Sequence, residues 1–248
     1  MNILISNDDG VYNPGILAAK KALEDFADVT VVAPLRGKSS LSRKSSFLEP
    51  LEIKICTLKD GSIAYGVSGT PADAVSIGIN YIMEDKKPDL VITGINPGIN
   101  LSKSEIYVSG TVSAAIESVC NGVPAIACSL FHFKNQGDEP DFTDASEILA
   151  DLVKKVLDEG FPENVDLLNL NIPQNLISKD IKVTELADNM LRRRVLKNKD
   201  GTVQIRPTFI SDYPEGSDGY CIFTEKRPSL TPLNIDLTDN LDCLENWL

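Results

Sequence analysis

The chain has 248 residues, 42% hydrophobic and 24% charged, a balance that fits one large domain with a substantial core and excludes a disordered or fibrous chain. Thirty-six acidic against 24 basic residues leave a formal net charge of −12, which disfavours non-specific attraction to nucleic acid or anionic membrane. An anionic ligand therefore needs a local source of positive potential.

The first strand-length apolar run, 3–6, begins with no basic leader before it. No apolar run approaches the ~20 residues of a membrane span, and a cytoplasmic location is the expectation. The run leads straight into Asn7, Asp8, Asp9 and Gly10. Adjacent carboxylates repel, so something at this turn has to compensate them. Asn13 and Pro14 then open a helix, on which Ile16, Ala19, Leu23 and Phe26 recur at helical spacing. A second run, 29–33, ends in the loop PLRGKSSLS, which holds Ser39. The GKSS within it is not a P-loop, because Val32 stands where the first glycine is needed.

Thr70 and Pro71 repeat the helix-opening device over a segment reaching about residue 83. The run 90–93 leads to GINPGIN with Asn96, and SGT at 109–111 opens a third helix. A strand follows at 125–129. Leu149, Leu152, Val153, Val156 and Leu157 mark a fourth helix before Gly160, and a strand at 167–171 closes the series. Runs apolar on both faces, with helices between them, predict a doubly wound α/β fold with a mostly parallel sheet. From residue 172 the alternation stops. Short β-like pieces at 181–186 and 202–205 lie among Pro, Asp and Arg. Residues 172–248 are therefore expected to form a β-rich arm on a 1–171 core, of the kind that reaches across to a partner subunit, with a final short helix at 239–248.

The five cysteines, Cys56, Cys120, Cys128, Cys221 and Cys243, are widely spaced without a C-x-x-C pair and read as buried free thiols. The single histidine, His132, sits between aromatic residues and reads as structural. The run Arg192 to Arg194 reads as a solvated or salt-bridged face.

In an open parallel sheet, ligands collect at the carboxyl ends of the strands. The loops carrying Asp8, Asp9, Ser39 and Asn96, and the helix start at Ser109, all follow that rule. Paired carboxylates, a hydroxyl and a carboxamide oxygen are hard donors suited to Mg²⁺, Mn²⁺ or Ca²⁺. Such a cation would also offset the repulsion between Asp8 and Asp9. The alternative is an acidic pair that merely caps its turn, with Asn96 stabilising another. At Ser109, Gly110 and Thr111, backbone N–H groups, the positive end of a helix dipole and two hydroxyls make a phosphate seat. An ordinary N-cap is the alternative. Two other functions fit the same residues: a nucleotide- or metal-sensing module without turnover, and a nucleotide-sugar glycosyltransferase. The last ranks lowest, since such sites usually space their acids by one residue.

The motifs SNDDG, VVAP with its following Ser39 loop, VSGTPADAV, PDLVITGINPGIN and YVSGTVSAAIES stand in order across residues 2–129, with RPSLTPL near the end. In this arrangement the chain resembles the SurE family, the stationary-phase survival protein nucleotidases. The resemblance implies a Rossmann-like core with a β-rich, partly exchanged dimerisation arm, assembled as a homodimer or homotetramer. It implies one divalent cation per subunit, Mg²⁺ or Mn²⁺, and hydrolysis of nucleoside 5′- and 3′-monophosphates, in some members also of short polyphosphate. On the matching positions the metal ligands are Asp8, Asp9, Ser39 and Asn96, with Asp8 and Asp9 the catalytic pair. Asn7, Ser109, Gly110 and Thr111 lie on the phosphate side. Leu35, Ser40, Ala74 and Ser102 depart from residues frequent in the family.

Overall fold

The computed structural model of the chain describes residues 1–37, 42–132 and 139–238. Its centre is a nine-stranded sheet. Strand β1 (Asn2–Ser6) lies between β2 (Asp28–Pro34) and β5 (Leu90–Pro97), parallel to both. Beyond β2 come β4 (Ile63–Val67), parallel to it, and the antiparallel edge strand β3 (Ile53–Thr57). Beyond β5 come β6 (Ala125–Phe131) and β7 (Leu167–Pro173), both parallel. The chain thus builds outward from β1 in one direction and returns to build in the other. This puts a topological switch point between β1 and β5, where a crevice opens at the carboxyl ends.

Alternation along the strands sorts side chains to two faces. Ile3, Ile5, Val31, Ile92, Ile126 and Leu170 pack in one cluster with helices α1 (Pro14–Leu23) and α5 (Thr143–Glu159), through Ile16, Leu23, Leu149 and Val153. Leu4, Val32, Val91, Ala125 and Ala127 pack in another with α2 (Pro71–Ile77) and α4 (Gly110–Cys120), through Val75, Val112 and Ala115. Covering on both sides is why the strands read as unbroken apolar runs. Each fully buried Leu or Ile contributes roughly 1.5–3 kcal/mol of burial.

The helix starts are built as the sequence predicts. Asn13 accepts from the N–H of Gly15 at 2.8 Å, with Pro14 at the first position of α1. At α2, Thr70 and Asp73 form a reciprocal capping box, and the helix runs on into a π-helical turn, Gly78–Ile82. The Asp73 carboxylate accepts from the N–H of Thr70 at 2.8 Å and from that of Ser46 at 2.9 Å, so it ties the 42–51 loop to the helix. Burial works to raise this carboxyl, but the N–H groups of Thr70 and Ser46 together outweigh it and hold it below the usual range. With the folded value depressed, the contribution is present above the ordinary aspartate pKa and is lost as pH falls through the folded value. Asp73→Ala is expected to cost about 1–2 kcal/mol in urea unfolding at pH 7. The difference from the wild-type chain should shrink progressively below about pH 4.

The C-terminal part is β-rich, as expected, but it is not all appended. Strand β11 (Ser229–Leu233) returns to the main sheet antiparallel to β7, and the two-residue β8 (Lys182–Val183) pairs beside it. Among the described residues only the antiparallel hairpin of β9 (Leu191–Lys197) and β10 (Val203–Phe209) stands apart as a second sheet. The helix expected at 239–248 lies outside the described residues. Among the described residues no helix is long and apolar enough to cross a membrane. The cysteine expectation needs one correction. Cys56, Cys128 and Cys221 are buried free thiols, whereas Cys120 is exposed and takes a hydrogen bond from Arg43 at 2.8 Å; Cys243 lies outside the described residues.

Candidate active site

Five of the candidate site residues line one cleft of about 300 Å³ at the switch point: Asp8, Asp9, Asn96, Ser109 and Gly110. Asp8 and Asp9 come from the turn after β1. Asn96 comes from the end of β5, where the register against β6 shifts between Thr93 and Asn96. Such a bulge re-aims the side chains that follow it. Ser109 and Gly110 come from the start of α4.

The turn after β1 is fixed by Asn7. Its carboxamide donates to the carbonyl of Gly10 and accepts from the Gly10 N–H, both at 3.0 Å. Gly10 itself has φ +105°, a conformation in which a side chain is strained. Asp8 is only 4% exposed, and its Oδ1 accepts from Thr111 Oγ1 at 2.8 Å. Gly110 lets α4 approach this carboxylate closely, since a Cβ there would stand 2.6 Å from both Cβ and Oδ2 of Asp8. Ser109 caps α4 by accepting from the N–H of Val112 at 3.1 Å, and it also lines the cleft. The cap and the cleft wall are one arrangement rather than alternatives.

Asn7 and Thr111 do not themselves line the cleft; they hold the turn and the Asp8 carboxylate behind it. Ser39 lies outside the described residues, although Gly37, two positions earlier, is packed against the Asp9 carbonyl. The grouping suits a hard cation through Asp8, Asp9 and Asn96, with the Ser39 loop starting alongside. It is a site of two carboxylates and neutral oxygens. Among the described residues no group of three or more His, Cys, Asp or Glu side chains is placed to hold a metal ion together.

A family model described as Survival protein SurE matches residues 3–193. The chain belongs to the SurE family. A 5′-nucleotidase SurE of Methanobrevibacter smithii is 42% identical over 258 aligned positions that take in all of both chains. Another, of Methanothermobacter thermautotrophicus, is 44% identical over 225 positions, 88% of this chain and 85% of its own. The crystal structure of the SurE protein from Aquifex aeolicus matches with a TM-score of 0.83 at 35% identity, covering 99% of this chain and 98% of that one.

In this SurE chain the cleft has walls that the sequence reading did not assign to a site: Asn100, Glu105 and His132. Asn100 is pinned from three sides. Its N–H donates to Asn171 Oδ1 at 3.1 Å, its Nδ2 to Ser129 Oγ at 2.7 Å, and its carbonyl accepts from Asn169 and Asn171. Two asparagines in the otherwise apolar strand LNLNIP were the signal available in the sequence, because buried amides need partners. Glu105 pairs with Arg193 of β9 at 3.2 Å, joining the hairpin to the cleft rim. The Asn96–Asn100 loop is anchored further along by Asp218, which is fully buried. Its carboxylate accepts from the N–H of Ser102 at 2.7 Å, of Ala187 at 2.9 Å and of Gly219 at 2.7 Å. Burial pushes this carboxyl above the ordinary aspartate range, with the N–H donors opposing it. His132, expected to be structural, is 7% exposed and faces the cleft from the end of β6.

Proposed function

We propose that this chain is a divalent-metal-dependent phosphomonoesterase that releases phosphate from nucleoside 5′-monophosphates. The observation that carries the reading is the meeting of Asp8, Asp9 and Asn96 with the start of α4 in one cleft, in a chain whose relatives bear the name 5′-nucleotidase SurE. Asp8, Asp9, Asn96 and Ser39 would hold one cation, Mg²⁺ or Mn²⁺. When bound, that ion supplies Lewis-acid polarisation of a phosphoryl oxygen and a lowered pKa for an attacking water.

The remaining work falls to the chain's own groups. The α4 start offers backbone N–H groups and the positive dipole end to the phosphoryl oxygens, where negative charge grows as the reaction proceeds. Ser109 and Gly110 form this seat. Thr111 keeps Asp8 in place by its hydrogen bond, and Asn7 keeps the turn. Positive potential thus arises locally in a chain of net charge −12. Because the seat grips the phosphoryl group rather than the base, 3′-monophosphates and short polyphosphate fit the same reading.

The hairpin leaves Val195, Val203 and Ile205 about two-thirds exposed. We assign it to pairing with a second copy, giving a homodimer that can pair further into a tetramer. The free thiols among the described residues suit a reducing, cytoplasmic compartment.

The test is the purified protein against a panel of nucleoside monophosphates with Mn²⁺, Mg²⁺ or chelator, scoring inorganic phosphate. Release with cation and its loss on chelation are expected. Nucleotide binding without phosphate release would replace this reading with a sensing module.

A further inference from the structure

Hydrolysis of a nucleoside monophosphate requires that the departing ribose oxygen receive a proton as its bond to phosphorus breaks. An alkoxide is otherwise a poor leaving group, and a positioned acid typically contributes about 10²–10⁴-fold. Among the described residues that line the cleft, four side chains are acids or bases: Asp8, Asp9, Glu105 and His132. Asp8 and Asp9 carry the cation in the proposed reading, and Asp8 already accepts from Thr111. Glu105 is engaged by the Arg193 guanidinium at 3.2 Å. His132 is the fourth, and imidazole is the side chain suited to exchanging a proton near neutral pH.

Its place in the sheet suits the task. The strand order is β1, β5, β6, with Asn96 opposite Ser129 and His132 just past the end of β6. Adjacent strands lie about 4.8 Å apart, so the ends of β1 and β6 are separated by roughly 10 Å. Phosphoryl transfer brings the entering oxygen and the departing oxygen into line on opposite sides of phosphorus. The acidic pair at the β1 end, the imidazole just past the β6 end and Ser109 and Gly110 at the α4 start all line the same cleft. In the proposed arrangement a phosphoryl group seated at the α4 start turns its entering face to Asp8 and Asp9 and its ester oxygen to His132.

We infer that His132 is the general acid of the reaction, protonating the ribose oxygen of the leaving nucleoside. This rests on the nucleotidase reading. The water oxygen bonds to phosphorus while the bond from phosphorus to the ribose oxygen breaks. The electron pair of that bond stays on the ribose oxygen, which takes a ring N–H proton and departs as an alcohol. The proton lost by the water passes to solvent, and the neutral imidazole takes one back from solvent.

The experiment compares His132→Gln with the wild-type chain on adenosine 5′-monophosphate and on p-nitrophenyl phosphate, with the same cation. The aryl leaving group departs without protonation. The variant's loss is therefore expected to be about 100-fold or more in kcat on the nucleotide, and at least ~10-fold smaller on the aryl ester. Equal losses on both substrates, or no loss on either, overturn the assignment. A wild-type chain that releases phosphate from neither substrate overturns the nucleotidase reading itself. The chain holds a single histidine, so imidazole NMR signals of the tag-free wild-type protein belong to His132 without further assignment. Inorganic phosphate is expected to displace them, and signals unchanged at saturating phosphate overturn the assignment even if the variant does not fold.

Discussion

Asp8→Asn is expected to abolish phosphate release while leaving the protein folded, and its thermal unfolding should distinguish loss of a ligand from loss of structure. Asparagine keeps the acceptor oxygen that meets Thr111 Oγ1 at 2.8 Å, so the buried hydrogen bond survives. What disappears is one of two adjacent negative charges. In the absence of cation this relieves repulsion, and Tm should be unchanged or raised. In its presence the comparison reverses. Losing an outer hydrogen-bond partner of a metal ligand already costs about 10–100-fold in affinity, so losing a ligating charge is expected to cost more. A hundredfold excess of Mn²⁺ over its Kd should stabilise the wild-type chain by about 2.7 kcal/mol, and the same concentration should barely move the variant. Full activity in the variant, or an equal Mn²⁺ shift in both proteins, would remove Asp8 from the site.

Gly110→Ala is expected to damage stability and turnover together. The added methyl would stand 2.6 Å from Asp8 Cβ and Oδ2 and 2.9 Å from Cγ, well inside contact distance. Asp8 has little room to retreat, being nearly buried and held by Thr111. Either α4 shifts outward or the carboxylate rotates away. Overpacking of this kind costs about 1–3 kcal/mol. A displacement of about 1 Å in a catalytic group is enough to cost roughly 100-fold in rate. Urea unfolding and a phosphate-release assay on one preparation check both parts. Wild-type turnover with an intact midpoint would show that α4 does not abut the acidic pair.

Much of this arrangement is written locally in the chain. The strands at 3–6, 29–33, 90–93, 125–129 and 167–171 are present, each extended by up to four residues, because burial on both faces leaves continuous apolar runs. Asp8, Asp9, Asn96 and Ser109 were visible because each lies close behind an apolar run of strand length or begins a helix. Strands β3 and β4 were not visible. Ile53 and Ile55 of β3 are exposed while Cys56 is buried, the pattern of an edge strand that reads as surface. Nor was the return of β11 evident, since Pro232 interrupts its sequence. It lies where β8 no longer runs alongside, an edge position that tolerates a residue without an N–H. Glu105 is tied to β9 by a tertiary contact with no local signature, and Asn100 left only the trace of its asparagine partners in β7. His132 directly follows β6, but its aromatic setting reads as structural.

The Asp218 anchor bears on how small this protein can be made. A truncation that kept only the α/β half, ending near residue 173, would retain every acidic and amide side chain proposed to meet the substrate. It would also strip the backbone N–H of Ser102 of its acceptor and lay open the outer side of β7. The described residues beyond 173 are thus the far wall on which the floor of the cleft is braced, and the minimal catalyst is close to the whole chain.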